Sequence, residues 1–200
     1  MKKLFVFFIP VLFFLSCKTD DPALKYTYET NPHYSWGYAE YFGSYYADYN
    51  NNNNVLSLSL FSDSLYVTNG NLSGLGQYLY IEDIFVPSDS IILPAGNYVS
   101  SELGEPFTFY PGRQYPVDDL KIDVGAFLYY IEKNKNLTVI KQVSKGSFTV
   151  KIIGSQRKID CNFVLSDSSK VTGSFSNTLP HYNSSLQPAG VRRHKIRFDF

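Results

Sequence analysis

From about residue 36 onward, apolar and polar residues alternate with a period of two, the spacing of strands with one face on a core and one in water. In VLSLSLF, Leu56, Leu58 and Leu60 are predicted to point one way and Ser57 and Ser59 the other, because successive strand side chains leave on opposite faces. In QYLYIEDIFV the same reading sets Leu79, Ile81 and Phe85 against Tyr78, Tyr80 and Glu82. In RKIDCNFVL it puts Ile159, Cys161, Phe163 and Leu165 inward and Lys158, Asp160 and Asn162 outward. The closing run HKIRFDF alternates Ile196, Phe198 and Phe200 with Lys195, Arg197 and Asp199. One-sided strands of this kind suit antiparallel sheets with a solvated face.

Turn signals fall between the runs: Asn69-Gly70, Gly74 and Gly76, Pro94-Ala95-Gly96, Pro111-Gly112, Lys145-Gly146, Ser168-Ser169 and Pro188-Ala189-Gly190. The segments VSKGSFTVKII, RKIDCNFVL and KVTGSFS read as a three-stranded meander, and the five asparagines at 50–54 as a loop. No stretch carries a long amphipathic helix. The predicted fold is all-β, an antiparallel β-sandwich over residues 33–200, with a small closed, calycin-like β-barrel as the alternative. The final alternation before Phe200 resembles the last strand of an outer-membrane barrel, but such strands need about 9–11 residues, and several runs here read as shorter.

The first residues break this pattern. Lys2 and Lys3 precede a largely apolar run from Leu4 to Leu15, then Ser16 and Cys17, which predicts a secretory signal peptide over 1–16. Pro10 and the short length make it a poor membrane span. The LSC tripeptide resembles the end of a bacterial lipobox, with Phe14 where that motif carries an aliphatic residue. The resemblance implies a lipidated Cys17: a diacylglycerol on the sulfur and an acyl chain such as palmitate on the freed amine. At about 0.8 kcal/mol per buried methylene, two or three chains hold a protein on a membrane. Lys18, Thr19, Asp20, Asp21 and Pro22 resemble the acidic tether of Bacteroidota-type surface lipoproteins. That implies a tether over 17–32 and an outer-membrane location facing the cell exterior, with the periplasmic face as the alternative.

Several body segments extend the likeness: AEYFGSYY from Ala39, LPAGNY from Leu93, GSFTV from Gly146 and DSSKVTGSFSNTL from Asp167. Together they resemble a group of Bacteroidota-type surface lipoproteins with an all-β domain of unknown function. The resemblance implies a fold and imports no catalytic residue.

Charge narrows the partners. Loss of residues 1–16 removes Lys2 and Lys3 and leaves 16 basic against 18 acidic residues, a net charge of −2, so nothing favours nucleic acid. With the Cys17 sulfur acylated, Cys161 has no partner in the chain and reads as a small buried hydrophobe.

The candidate chemistry is aromatic. Tyr26, Tyr28, Tyr34, Trp36, Tyr38, Tyr41, Phe42, Tyr45, Tyr46 and Tyr49 crowd one segment, read as strand because Gly37 and Gly43 oppose a helix. Tyr34, Trp36 and Tyr38 are expected to share a strand face, and rings carrying polar edges suit the apolar faces of sugars or a protein surface. His33, His181 and His194 lack metal spacing, so no metal or other cofactor is expected. Acids cluster at Glu82-Asp83, at Glu102 with Glu105, and at Asp118-Asp119 with Asp123; a carboxylate pair could serve a glycosidase. No nucleophile elbow or dinucleotide motif supports an enzyme. Asp63-Ser64-Leu65 and Asp89-Ser90-Ile91 resemble the acceptor of bacterial O-glycosylation, which names Ser64 and Ser90. The expected function is a non-catalytic lipoprotein binding polysaccharide or another macromolecule; the alternative is an accessory assembly subunit partnered with an envelope protein.

Overall fold

The computed structural model describes residues 28–68, 70–117, 120–132 and 137–185. The signal segment 1–16, Cys17 with its tether to residue 27, Asn69, Asp118-Asp119, Pro188-Ala189-Gly190, His194 and the closing run 194–200 lie outside the described residues.

The strands are β1 (His33–Gly43), β2 (Asn54–Ser62), β3 (Leu65–Thr68), β4 (Asn71–Val86), β5 (Gly96–Ser100), β6 (Thr108–Phe109) and β7 (Arg113–Val117). They continue with β8 (Leu120–Val124), β9 (Ala126–Glu132), β10 (Leu137–Ile153), β11 (Gln156–Leu165), β12 (Lys170–Val171), β13 (Ser174–Asn177) and β14 (His181–Asn183). Among the described residues one 3-10 turn, Ala47–Tyr49, interrupts them. The all-β expectation holds, in a sandwich- or barrel-like form whose pairing runs in a circuit. β1 pairs with β2, β2 with β4, β4 with β9, β9 with β10, β10 with β11 and β11 with β13, all antiparallel. β13 then returns to β1 in parallel, so the sheet closes on itself and is mixed rather than purely antiparallel.

The parallel seam is made of two pieces. β13 meets β1 at His33 and Tyr34, and β14 meets it at Ala39 to Tyr41. Between them, Asn177 Nδ2 donates to the Ser35 carbonyl at 2.9 Å. The predicted meander is present as β10, β11 and then β12 with β13 on the far edge of β11.

Every strand of the circuit sends side chains into one enclosed apolar cluster, including Leu56, Leu58, Leu60, Leu79, Ile81, Leu128, Phe148, Ile159, Cys161, Phe163 and Phe175. Fully burying one such side chain stabilises by about 1.5–3 kcal/mol, and this cluster supplies most of the driving force. An apolar interior is the reverse of a membrane-spanning barrel's polar lumen. Packing begins before residue 33: Tyr28 joins the cluster and donates its hydroxyl to the Val139 carbonyl at 3.0 Å.

Three expectations change. β2 is not one-sided: Ser57 and Ser59 are as buried as the leucines, so both faces of this strand are enclosed. Phe85 does not share a face with Leu79 and Ile81. A β-bulge opposite Leu56 and Leu58 inserts an extra residue into β4, so Ile84 and Val86 turn inward instead. Gly74, Gly76 and Gly146 lie inside β4 and β10 rather than in turns, which makes those strands 16 and 17 residues long. At Gly146 (φ 141°) the chain takes a conformation that favours glycine, and a Cβ would lie 2.3 Å from the Asn162 carbonyl oxygen.

Candidate functional site

The outward sides of β1, β2, β4 and β9 carry three rows of residues, each set by strand register. In the first row Trp36 faces Phe61, Phe61 faces Tyr78 and Tyr78 faces Tyr129. The rings form a cross-strand stack with centroids 3.9, 4.4 and 5.3 Å apart. Trp36 Nε1 donates to the Leu65 carbonyl at 2.7 Å, which fastens the β3–β4 hairpin over this end. The second row runs Tyr38, Ser59, Tyr80, Phe127. Ser59 Oγ and the Tyr78 hydroxyl lie 3.1 Å apart across the two rows.

The expected trio is therefore divided. Trp36 and Tyr38 do share the outer face, but Tyr34 points into the enclosed cluster at 1% exposure. A bulge at Ser35 sets Tyr34 opposite Ser62 and Trp36 opposite Phe61, and that one extra residue reverses the alternation. Trp36 has one ring face on Phe61 and its N–H committed, so it is a wedge between layers rather than an open platform. Burial raises the Tyr38 hydroxyl to about 12, with the Ser59 hydrogen bond pulling it back and the Glu40 charge adding to the rise.

The third row is acidic: it sets the Glu82-Asp83 pair singled out from sequence beside Glu40, which was not. Glu40 stands opposite Ser57, and the β4 bulge brings Glu82 and Asp83 alongside. Glu40 and Asp83 are 3% and 5% exposed. Ser184 Oγ donates to Glu40 Oε1 at 3.1 Å, and the Tyr46 hydroxyl donates to Asp83 Oδ2 at 3.0 Å. Ser57 Oγ is buried without a hydrogen-bond partner among the described residues. Burial drives the Tyr80 hydroxyl well up, and the charges of Glu82, Asp83 and Glu40 push the same way. Among the described residues no group of three His, Cys, Asp or Glu side chains could hold a metal ion.

Beyond this row the sheet opens onto an exposed, tyrosine-rich rim. Tyr46 meets both Tyr45 and Tyr49 edge to face in and beside the 3-10 turn. Tyr46 also packs on Phe85 and Tyr110. The Arg113 guanidinium lies over the rings of Tyr110 (5.5 Å) and Tyr115 (5.0 Å) and pairs with Glu102 at 3.3 Å. Tyr49 is 79% exposed and Tyr115 44%. Burial raises the Tyr110 hydroxyl, the Asp83 charge adds to this and Arg113 opposes it.

The asparagine run holds the rim together instead of hanging free. Asn51 Nδ2 and Asn53 Nδ2 both donate to the Gly104 carbonyl, at 2.9 and 3.0 Å, tying the run to the 101–107 loop. Asn54, already in β2, donates to the carbonyls of Ser88 and Ser90. In the same loop Phe107 has φ 62°, a conformation costing a bulky residue on the order of 1–3 kcal/mol, and such strain gathers at functional sites. Tyr110, Arg113 and Tyr115 were missed from sequence, although an aromatic–basic–aromatic spacing of i, i+3, i+5 at a predicted turn was there to be read.

The remaining candidates are scattered. Ser64 is exposed in the turn before β3, whereas Ser90 is half-buried with its hydroxyl on Asp89. Cys161 is buried, and burial pushes its thiol far up, as suits a packing residue. Asp123 accepts from Gln114 in the β7–β8 hairpin. Comparison with protein-family models, with curated proteins and with solved structures finds no match to this chain.

Proposed function

We propose that this chain is a non-catalytic lipoprotein, anchored in the outer membrane through Cys17 with its body at the cell surface, and that it binds glycan through the tyrosine rim. The observation that carries the reading is a chain of tyrosines, all at least partly exposed: Tyr45 and Tyr49 meet Tyr46, Tyr46 meets Tyr110, and Arg113 lies over Tyr110 and Tyr115, beside a loop tied down by Asn51 and Asn53. Exposed phenol rings present an apolar face to sugar C–H groups and a hydroxyl to their edges. The braces spare the loops part of the ordering cost of binding. The signal-like start and LSC tripeptide support the anchor, and the acidic residues after Cys17 support the outer surface.

The test uses the full chain in detergent micelles, titrated calorimetrically with a panel of neutral and acidic polysaccharides. Binding is expected with at least one, lost in Tyr49→Ala and Tyr115→Ala, and kept in Trp36→Phe. Equal binding by parent and rim variants would move the site elsewhere, and a silent panel would remove the glycan reading. The second reading, an assembly subunit, draws on exposed Ile152 and Ile153 at the end of β10 and predicts an envelope-protein partner lost on Ile153→Asp.

A further inference from the structure

Arg113 gives the tyrosine rim a chemical preference. It opens β7 with its guanidinium over the rings of Tyr110 and Tyr115, 5.5 and 5.0 Å from their centroids. Its Nε is buried without a hydrogen-bond partner among the described residues, whereas its Nη1 stands 3.3 Å from a Glu102 carboxylate oxygen. The side chain is 34% exposed, so the end that a ligand meets is the end that already holds a carboxylate.

Glu102 holds that place loosely. The backbone on either side of it is fixed: the Ser101 N–H donates to the Phe109 carbonyl at 3.0 Å, and the Gly104 carbonyl takes the side-chain amides of Asn51 and Asn53. The Glu102 side chain itself is 67% exposed, and an ion pair so open to water contributes little to stability. Its carboxylate can therefore leave Arg113 by rotation of the side chain, with the loop unmoved.

We propose that Arg113 receives the carboxylate of a uronic acid, and that Glu102 occupies this place in the free protein; the proposal rests on the glycan reading of the rim. A guanidinium held over aromatic faces keeps its in-plane N–H groups for an acceptor, and their planar fork matches the two oxygens of a carboxylate. Tyr115, 44% exposed, offers ring surface beside it to the C–H face of the same sugar. The neighbouring charges set a limit. Asp48 and Glu105 are exposed on the same rim, and Asp83 lies under Tyr46. They repel further negative charge, so the match is to a glycan with widely spaced carboxylates rather than a densely sulfated one.

Calorimetry on the full chain in micelles compares hyaluronan oligosaccharides, which carry a uronate on every second sugar, with the same oligosaccharides after reduction of the carboxyl to the alcohol. The parent is expected to bind the native form several-fold more tightly. Arg113→Gln should bring the two forms level, and Glu102→Gln should tighten the native form several-fold and the reduced form less. Equal binding of the two forms by the parent overturns the proposal, as does a preference that survives in Arg113→Gln or tighter binding of heparin. Should Arg113→Gln lose the thermal transition of the parent, Glu102→Gln decides, and no gain there overturns the proposal. Binding of neutral polysaccharides alone, lost in Tyr115→Ala, would overturn the uronate and leave the glycan reading standing. A response to no polysaccharide would overturn both.

Discussion

At the scale of single residues, two positions carry more than their size suggests. Gly37 sits in β1 opposite Leu60, and a Cβ there would lie 2.5 Å from the Ser59 carbonyl oxygen and 2.7 Å from the Leu60 side chain. Gly37→Ala should therefore destabilise by about 1–3 kcal/mol, the usual effect of overpacking, read as a lower midpoint in urea. His181 accepts the Leu93 N–H on Nε2 at 3.0 Å, and burial, with the charge of Arg157, holds its pKa below the ordinary histidine value. The unfolded chain then takes up that proton more readily than the folded one. The stabilisation is complete above about pH 6.5 and is lost as the pH falls through the unfolded value toward the lowered one. Thermal melting between pH 7 and 5 should show this slope in the parent and a flatter one in His181→Gln, which removes the titration.

Among elements, the cross-strand stack is the unit that fastens the outer layer. Phe61 lies between Trp36 and Tyr78, so Phe61→Ala should cost about 3–5 kcal/mol and shift the emission of Trp36, the only tryptophan, to longer wavelength. An unshifted spectrum would mean that Trp36 is held by the Leu65 carbonyl alone. The same layer explains what could be read from sequence. β11 runs through its inward residues without a bulge, and there Ile159, Cys161, Phe163 and Leu165 all fell on the expected side. β1 and β4 each contain a bulge, and one inserted residue put Tyr34 and Phe85 on faces that strict alternation denies them. In β2 the serines read as solvent-facing because alternation reports polarity and not burial; Ser59 instead meets the hydroxyl of Tyr78 on the neighbouring strand, and Ser57 Oγ is buried without a partner among the described residues. The rim was harder still. It depends on β6 meeting β4 at Ile84 and Phe85, a pairing with no local signal, which brings Tyr110 beside Tyr46.

Over the whole molecule, buried phenols and the closed circuit set the response to alkali and to unfolding. Tyr38 is raised to about 12, and Tyr46, Tyr78, Tyr80, Tyr98 and Tyr129 are also raised, each chiefly by burial. Because the folded state holds these protons more tightly, stability is intact below about pH 10 and is lost as the pH climbs toward the raised values. Phenolate absorbance should consequently rise in two phases, the later one coinciding with unfolding followed through Trp36. A single smooth phase would show those tyrosines to be open to solvent. The parallel seam between β1 and β13 bears on time rather than energy. It joins His33 to Ser174, residues 141 apart in the chain, so the circuit is incomplete until almost all of the described sequence has been synthesised. Such non-local closure makes for high contact order and slow folding, and a nascent chain of this kind stays open through most of its own elongation.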